Sequence, residues 1–356
     1  MMATNFDIEQ ILALIEKNVN ISDLHLSGGE SIAYRLNGEV IREEQAGKLS
    51  NESMELLLRQ LLAGNPQRFD KFLWDKEADF AYISKSGIPY RVNAFFKTGR
   101  LGVVMRKING TAKKIEELMF TDIAESIRKN VLNQKKWLYL VTGPTGSGKS
   151  TSLVAMLEEI NQNRSENLIT IEDPIEFVFS PKKCIISQRE IGHDTWSFAN
   201  ALRAAMREDP DIIFVGEIRD KETAESALSL AETGHLVFST LHTNSAANTV
   251  NRFISFFPPE IQNSVCDRLS TSLVGVQSQM LVKSKMGSRV GIYELMLNTT
   301  SVRNNIKKRE IEQLDNIIET SSLIGMINLK KYAQRLIDKQ IIDPKEVDWL
   351  IKGTAL

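Results

Sequence analysis

Residues Gly143-Pro144-Thr145-Gly146-Ser147-Gly148-Lys149-Ser150 spell a complete phosphate loop, G-x-x-x-x-G-K-[ST]. Glycines allow the backbone to curl so that its N–H groups converge on phosphate oxygens. Lys149 supplies a cation for the β- and γ-phosphates, and the Ser150 hydroxyl is a ligand for Mg²⁺. Thr151 opens the first helical turn and completes the candidate nucleotide-binding set. The apolar run Trp137 to Val141 precedes the loop and a helical pattern, Ser150 to Ile160, follows it. That strand–loop–helix context separates a working phosphate loop from a chance glycine-rich turn. The pattern predicts binding of ATP with Mg²⁺.

Three further polar groups close predicted strands. Glu172-Asp173 ends Leu168 to Ile171, with Pro174 stopping the pairing. Glu217 ends Ile212 to Val215, and His242 follows Leu236 to Thr240. A lone acid at a strand end is usually a cap or a solvated turn. Three such ends converging on one phosphate loop favour catalysis, because ligands of open parallel sheets gather at the carboxyl ends of strands. Hydrolysis needs a carboxylate to orient and deprotonate water, for which Glu217 ranks first and Glu172 second. Gly216 stands where many phosphate-loop enzymes carry a metal-orienting Asp, so Glu172 or Asp173 takes that task through a water. His242 is placed to sense the γ-phosphate. His235, at a strand start, is balanced between function and packing. His25, on a strand between Leu24 and Leu26, reads as an exposed or interface residue, and His193 carries no assignment.

Two arginines give a separate signal. If the loop between two strands runs from Lys97 to Arg100, Arg91 lies directly opposite Arg106 on one face, while Tyr90, Val92, Val103 and Met105 take the other. Like charges held side by side call for a nearby anion. The plain alternative is two solvated strand arginines, paired with Glu77 or Asp79.

These groups require two domains, which 356 residues suffice to build. Residues 1–108 read as a small α+β domain. Ile8, Ile11, Leu12 and Ile15 recur at helical spacing, and Asn37-Gly38 marks a hairpin. Ser50 caps a helix that stops at Gly64, and Ala78 to Ser84, Tyr90 to Phe96 and Leu101 to Lys107 are strands. Residues 109–118 read as a linker. Residues 119–356 alternate strand and helix, which implies a parallel sheet covered by helices. A tail of short helices runs from about residue 300 to 356.

Hydrophobic content of 42% and charged content of 25% are those of an ordinary globular chain, and a net charge of −1 disfavours nucleic acid as a partner. Cys184 and Cys266 form no C-x-x-C pair, which points to free thiols in a cytosolic compartment. No apolar run approaches the roughly 20 residues of a membrane helix. Met1 to Glu9 is too polar and acidic for a secretory signal.

The sequence resembles the hexameric secretion and pilus ATPases, and within them the PilT-type retraction ATPases, over nearly its whole length. Ser22-Asp23-Leu24-His25-Leu26 and Arg91-Val92-Asn93-Ala94-Phe95 resemble the family's N-terminal domain. Ile171-Glu172-Asp173-Pro174-Ile175-Glu176 matches its Asp box, and Arg207 to Asp220 its Walker B region. Gly234-His235-Leu236 to Leu241-His242-Thr243 matches its His box. The resemblance implies a PAS-like N-terminal domain and a RecA-like P-loop ATPase domain. It further implies a cytoplasmic homo-hexamer with nucleotide between the domains, and Arg91 and Arg106, with Arg100 as a further candidate, reaching the phosphates. It implies a motor docked at the inner-membrane base of a pilus machine, acting on the platform protein there without inserting into the membrane. The retraction enzymes carry a C-terminal Ala-Ile-Arg-Asn-Leu-Ile-Arg-Glu segment. Here Ser301-Val302-Arg303-Asn304-Asn305-Ile306-Lys307 places Asn305 at the leucine. Pilus retraction and twitching are therefore the expected function. An accessory PilU-like motor or an assembly or secretion ATPase is the nearest alternative. A nucleic-acid translocase and a non-catalytic ATP-binding ring are more remote.

Overall fold

Residues 7–18, 20–108 and 111–352 are described by a computed structural model. The first six residues of the polar N-terminal stretch, and Asn109-Gly110 of the linker reading, lie outside the described residues. The chain divides into two compact units. One comprises Met1–Thr111, Asp173–Val178 and Glu190–Trp196; the other comprises Ala112–Glu172, Phe179–Arg189 and Ser197–Leu356.

In the first unit, α1 (Ile8–Glu16) buries the apolar stripe expected of it, and the Asp7 carboxylate caps it by accepting from Glu9 N at 3.0 Å. Strands β1 (Ile21–Ser27), β2 (Ser31–Leu36) and β3 (Glu39–Lys48) follow. Asn37 and Gly38, with φ of 51° and 90°, form the primed turn that matches strand twist between β2 and β3. Helix α2 (Asn51–Leu61) starts at Ser50, whose hydroxyl accepts from Ser53 N at 3.1 Å, a cap typically worth about 1 kcal/mol. It ends before the expected Gly64, because the chain already turns left-handed at Ala63. Helix α3 (Pro66–Asp75) has no counterpart in the sequence reading. Its buried side is only Phe69 and Phe72, too sparse to show periodicity, although Asn65-Pro66 is a proper cap and first-turn pair. Strands β4 (Glu77–Ile83), β5 (Pro89–Lys97) and β6 (Arg100–Lys107) complete a six-stranded antiparallel sheet ordered β3-β2-β1-β6-β5-β4. Its core joins the helices' buried faces to Leu24, Leu26, Val92, Ala94, Val103 and Met105.

The second unit begins with α4 (Ile115–Leu118) and α5 (Thr121–Ile127). Part of the stretch read as linker is thus helical, with Ile115 fully buried. Strands and helices then alternate as β7 (Trp137–Thr142), α6 (Lys149–Asn163), β8 (Asn167–Glu172), β9 (Ile185–Glu190, whose last residue counts with the first unit), α7 (Phe198–Ala205), β10 (Ile212–Val215), α8 (Lys221–Glu232) and β11 (Leu236–Leu241). After α9 (Ala246–Ser255) and α10 (Gln262–Ser272), β12 (Leu273–Lys283) and β13 (Arg289–Leu297) form an antiparallel hairpin. The sheet order is β13-β12-β7-β11-β10-β8-β9, and the five strands from β12 to β8 run parallel. Central strands β10 and β11 are buried at every residue, which is why they read as continuous apolar runs rather than alternations. Strands β9, β12 and β13 were not foreseen. The tail is helical as expected, in α11 (Thr300–Lys308), α12 (Leu314–Thr320), α13 (Leu329–Asp338) and α14 (Asp348–Lys352).

Candidate active site

Between β7 and α6 the loop turns on Gly143, Gly146 and Gly148, with φ of 147°, 77° and 87°. A side chain at Gly143 is excluded twice over, since an added Cβ would lie 2.2 Å from Gln279 O and 2.5 Å from Ser147 Oγ. Gln279 on β12 also donates to Ser147 O at 2.9 Å, holding the loop from beneath. Lys149 Nζ donates to Gly143 O at 2.8 Å and to Pro144 O at 3.2 Å, so the ammonium lies over the loop's mouth. Ser147 Oγ is buried without a hydrogen-bond partner among the described atoms. A curled backbone over a helix N-terminus, with a cation and an unused hydroxyl inside it, suits a phosphate chain. Ser150 is half-buried at the start of α6, and Thr151 is exposed.

The sheet order places the ends of β7, β11, β10 and β8 side by side, so the phosphate loop, His242, Glu217 and Glu172 follow in one row. His242 Nε2 is 3.2 Å from Glu217 Oε1, and Arg219 Nε donates to Glu217 Oε2 at 2.8 Å. The turn carrying Glu217 is tied to β11: Thr240 Oγ1 donates to Gly216 O at 2.6 Å and Ile218 N to Thr240 O at 3.0 Å. Gly216 leaves room for the end of β8, because a Cβ there would sit 3.3 Å from Ile171 O. A side chain there would require the end of β8 to give by a few tenths of an ångström. Glu172 is only 6% exposed and accepts from Thr170 Oγ1 at 2.7 Å and Gln188 Nε2 at 3.4 Å. Asp173 is exposed and precedes a cis bond to Pro174.

Sequence reasoning missed a chain of hydroxyls beside the loop. Thr142 contacts Ser278 at 2.8 Å and Thr249 at 3.2 Å, and Thr249 contacts Thr243 at 2.7 Å. It thus links the last residue of β7 to the residue after His242. Only Thr243 carried a signal, through its neighbour. Gln279 carried none, being one polar residue within a strand.

His235 packs rather than reaching the row. Its Nδ1 contacts Leu230 O at 3.0 Å and Thr233 Oγ1 at 3.2 Å. His25 is partly buried with Nε2 enclosed and unpartnered, rather than on an open face, and burial lowers its pKa. His193 contacts Asp194 Oδ1 at 2.7 Å.

In the first unit, Arg91 and Arg106 are register partners on β5 and β6, as the hairpin arithmetic predicts. The anions they require are the protein's own carboxylates. Asp79 accepts from Arg91 Nη2 at 2.5 Å and Nε at 3.2 Å, and Glu176 lies 3.8 Å from Arg91 Nη1. Arg106 Nε donates to Asp23 at 2.7 Å. Burial raises the Asp23 pKa, but hydrogen bonds from Ser22 and Arg106 outweigh it and hold the carboxyl below its ordinary value. Arg91 is thus paired with Asp79, one of the two carboxylates named for it from the sequence. Arg100 folds over Gly29, whose added Cβ would meet Arg100 Nη1 at 2.3 Å.

Over residues 18–339 the chain matches the family described as Type II/IV secretion system protein. It is 42% identical over 337 residues to the type IV pilus retraction ATPase PilT of Pseudomonas aeruginosa, covering 94% of this chain and 95% of that one. It is 36% identical over 322 residues to the type IV pilus ATPase PilU of the same organism, covering 90% of this chain and 82% of that one. The crystal structure of the pilus retraction motor PilT with bound ADP superimposes with a TM-score of 0.83 at 36% identity, covering 96% of each chain.

Proposed function

The chain belongs to the type II/IV secretion system protein family, and from that premise we propose that it is the ATP-driven motor of type IV pilus retraction. It is a PilT-like ATPase, with a RecA-like α/β unit and a smaller α+β unit. One observation carries the reading of its site: four adjacent parallel strands deliver a phosphate loop, His242, Glu217 and Glu172 in a single row.

Bound ATP places its β- and γ-phosphates against the loop N–H groups and Lys149. Ser150, and Glu172 or Asp173 through a water, would hold Mg²⁺, whose charge would offset that of the phosphates. Among the described residues no three His, Cys, Asp or Glu side chains cluster as a metal site. Glu217 is the base that takes the proton of the attacking water. At 19% side-chain exposure it is open to solvent, whereas Glu172 is more enclosed and occupied by Thr170. His242 orients the Glu217 carboxylate and reports on the γ-phosphate. Arg91 and Arg106 stabilise the transferring phosphoryl group. The Arg91–Asp79 pair is open on both sides, so it is worth about 1 kcal/mol or less and yields readily to phosphate, whereas Arg106, 72% exposed, holds the buried carboxylate of Asp23.

The working form is a homo-hexamer in the cytoplasm acting on the inner-membrane platform protein of the pilus machine. No described helix is long and apolar enough to cross a membrane. Deleting the gene in its host tests the assignment: retraction loss leaves more surface pili and no twitching. A host without pili after deletion would make this an assembly ATPase.

One observation favours an accessory motor as a second reading. Asn305 of α11 stands at the leucine of the retraction segment. Its side chain, half-buried, donates to Ser301 O at 2.9 Å within its own helix. Val302 and Ile306 keep the buried face of that helix. Complementation separates the two. A retraction motor restores twitching to a strain lacking all such ATPases, whereas an accessory motor does so only beside a second one.

A further inference from the structure

Glu190 is buried at 2% exposure, and no step of the proposed hydrolysis uses it. Both its carboxylate oxygens accept from Ala81 N at 3.0 Å, and Oε2 also accepts from Ile175 N at 3.1 Å. These two donors sit on the segments that flank Arg91. Ala81 is the β4 residue in register with Arg91, and two positions before it Asp79 holds the guanidinium. Ile175 adjoins Glu176, the second carboxylate near Arg91. One carboxylate therefore fixes the spacing of the two strips of backbone whose acids aim the arginine.

Such a group is costly to keep. Burial pushes its pKa up, and the backbone N–H groups, His193 and Arg68 offset this only in part. A buried carboxylate joining two backbone segments is a strong orienting device, because losing it strands both donors without a partner. We propose that Glu190 is a positioning residue for Arg91: it holds β4 and residues 173–178 together so that Asp79 and Glu176 present the arginine in one orientation. The inference rests on the reading of Arg91 as a phosphate clamp. Since that clamp acts on the transferring phosphoryl group, loss of aim lowers kcat more than nucleotide affinity.

The test uses the full-length protein and four variants: Glu190→Ala, Glu190→Gln, Arg91→Ala and the double variant Arg91→Ala with Glu190→Ala. Steady-state ATPase rates and ADP affinity by calorimetry are measured for each. Glu190→Ala is expected to lower kcat at least about tenfold, with ADP affinity changed less than about threefold. Glu190→Gln keeps an oxygen able to accept from both N–H groups and is expected to recover most of the turnover. The double variant is expected to be no slower than Arg91→Ala alone, because residues acting through one another do not add. If Glu190→Ala does not fold, Glu190→Asp, one methylene too short to serve both donors, replaces it in the same cycle. Additive losses in the cycle, or wild-type kcat in a folded Glu190→Ala, overturn the proposal while a crippled Arg91→Ala leaves the clamp standing. Wild-type turnover in Arg91→Ala overturns the clamp itself, and this inference with it.

Discussion

His242 Nε2 stands 3.2 Å from Glu217 Oε1, across the ends of the neighbouring parallel strands β11 and β10. The contact pairs two residues singled out separately in the sequence, each at a strand end. With Arg219 on the other oxygen, it fixes the plane of the carboxylate.

Glu217→Gln is expected to bind ATP and scarcely hydrolyse it. Glutamine keeps the shape and the contact with Arg219 is weakened, but the loss that matters is the proton acceptor, which typically contributes about 10²–10⁴-fold. His242→Ala should produce a smaller loss, since it removes an orienting partner and leaves the base. Single-turnover rates with bound nucleotide measured separately decide this. Undiminished turnover in Glu217→Gln would move the base to Glu172.

Lys149→Ala is expected to lose tight ATP binding. The ammonium is the side-chain cation of the loop, and among its partners are the carbonyls of Gly143 and Pro144, neutral dipoles that phosphate oxygens outcompete. Calorimetric titration with MgATP checks it, and wild-type affinity would refute the role.

The arrangement of the candidate site was legible in the sequence where one short segment carried it whole. Gly143 to Ser150 is one continuous segment, and Glu217 and His242 are announced by the buried runs they follow. The Arg91–Arg106 register followed from strand period and loop length alone. What closes around these groups was not legible. Gln279 on Ser147, Thr249 on Thr142 and Glu190 on Ala81 act across 107 to 132 residues of sequence, and no periodicity records such pairings. The carboxylate partners of the arginines were only half visible. Asp79 lies on the adjacent strand and entered as an alternative, whereas Asp23 reaches Arg106 from β1, whose place beside β6 is a matter of sheet order.

Arg91→Ala and Arg106→Ala are each expected to lower hydrolysis by roughly 10³–10⁵-fold if both act on the transferring phosphoryl group. Loss of an ion pair alone leaves turnover unchanged; it costs about 1 kcal/mol or less of stability for the exposed Arg91–Asp79 pair and more for Arg106, which leaves the buried Asp23 without that partner. ATPase assays with circular dichroism as the folding control separate outcomes differing by orders of magnitude. Near-normal rates in both variants return these arginines to structural pairs with Asp79 and Asp23.

A pH-dependent stability is expected from Glu294 on β13, which is 6% exposed. Its carboxylate accepts from Ala246 N, the first residue of α9, at 2.7 Å, and from the backbone of Leu329 at the start of α13. Burial, aided by the negative charge of Asp315, pushes its pKa from the ordinary 4.5 up to about 7, and the two helix N-termini only partly oppose this. Between these values the folded chain holds a proton that the unfolded chain has released. Stability is therefore greatest below about pH 4.5 as far as this group is concerned, and falls as pH rises through about 7. The full penalty above that window is on the order of 3 kcal/mol. Glu294→Gln retains an oxygen for Ala246 N and cannot ionise, so its melting temperature should exceed that of the wild type at pH 8 and converge with it near pH 5. Asp315, itself raised by burial, remains in both proteins, and its repulsion of the Glu294 carboxylate is part of the difference measured. Calorimetric scans of the two proteins across that range give the result, and a difference in melting temperature that does not change with pH would show that Glu294 is already ionised throughout.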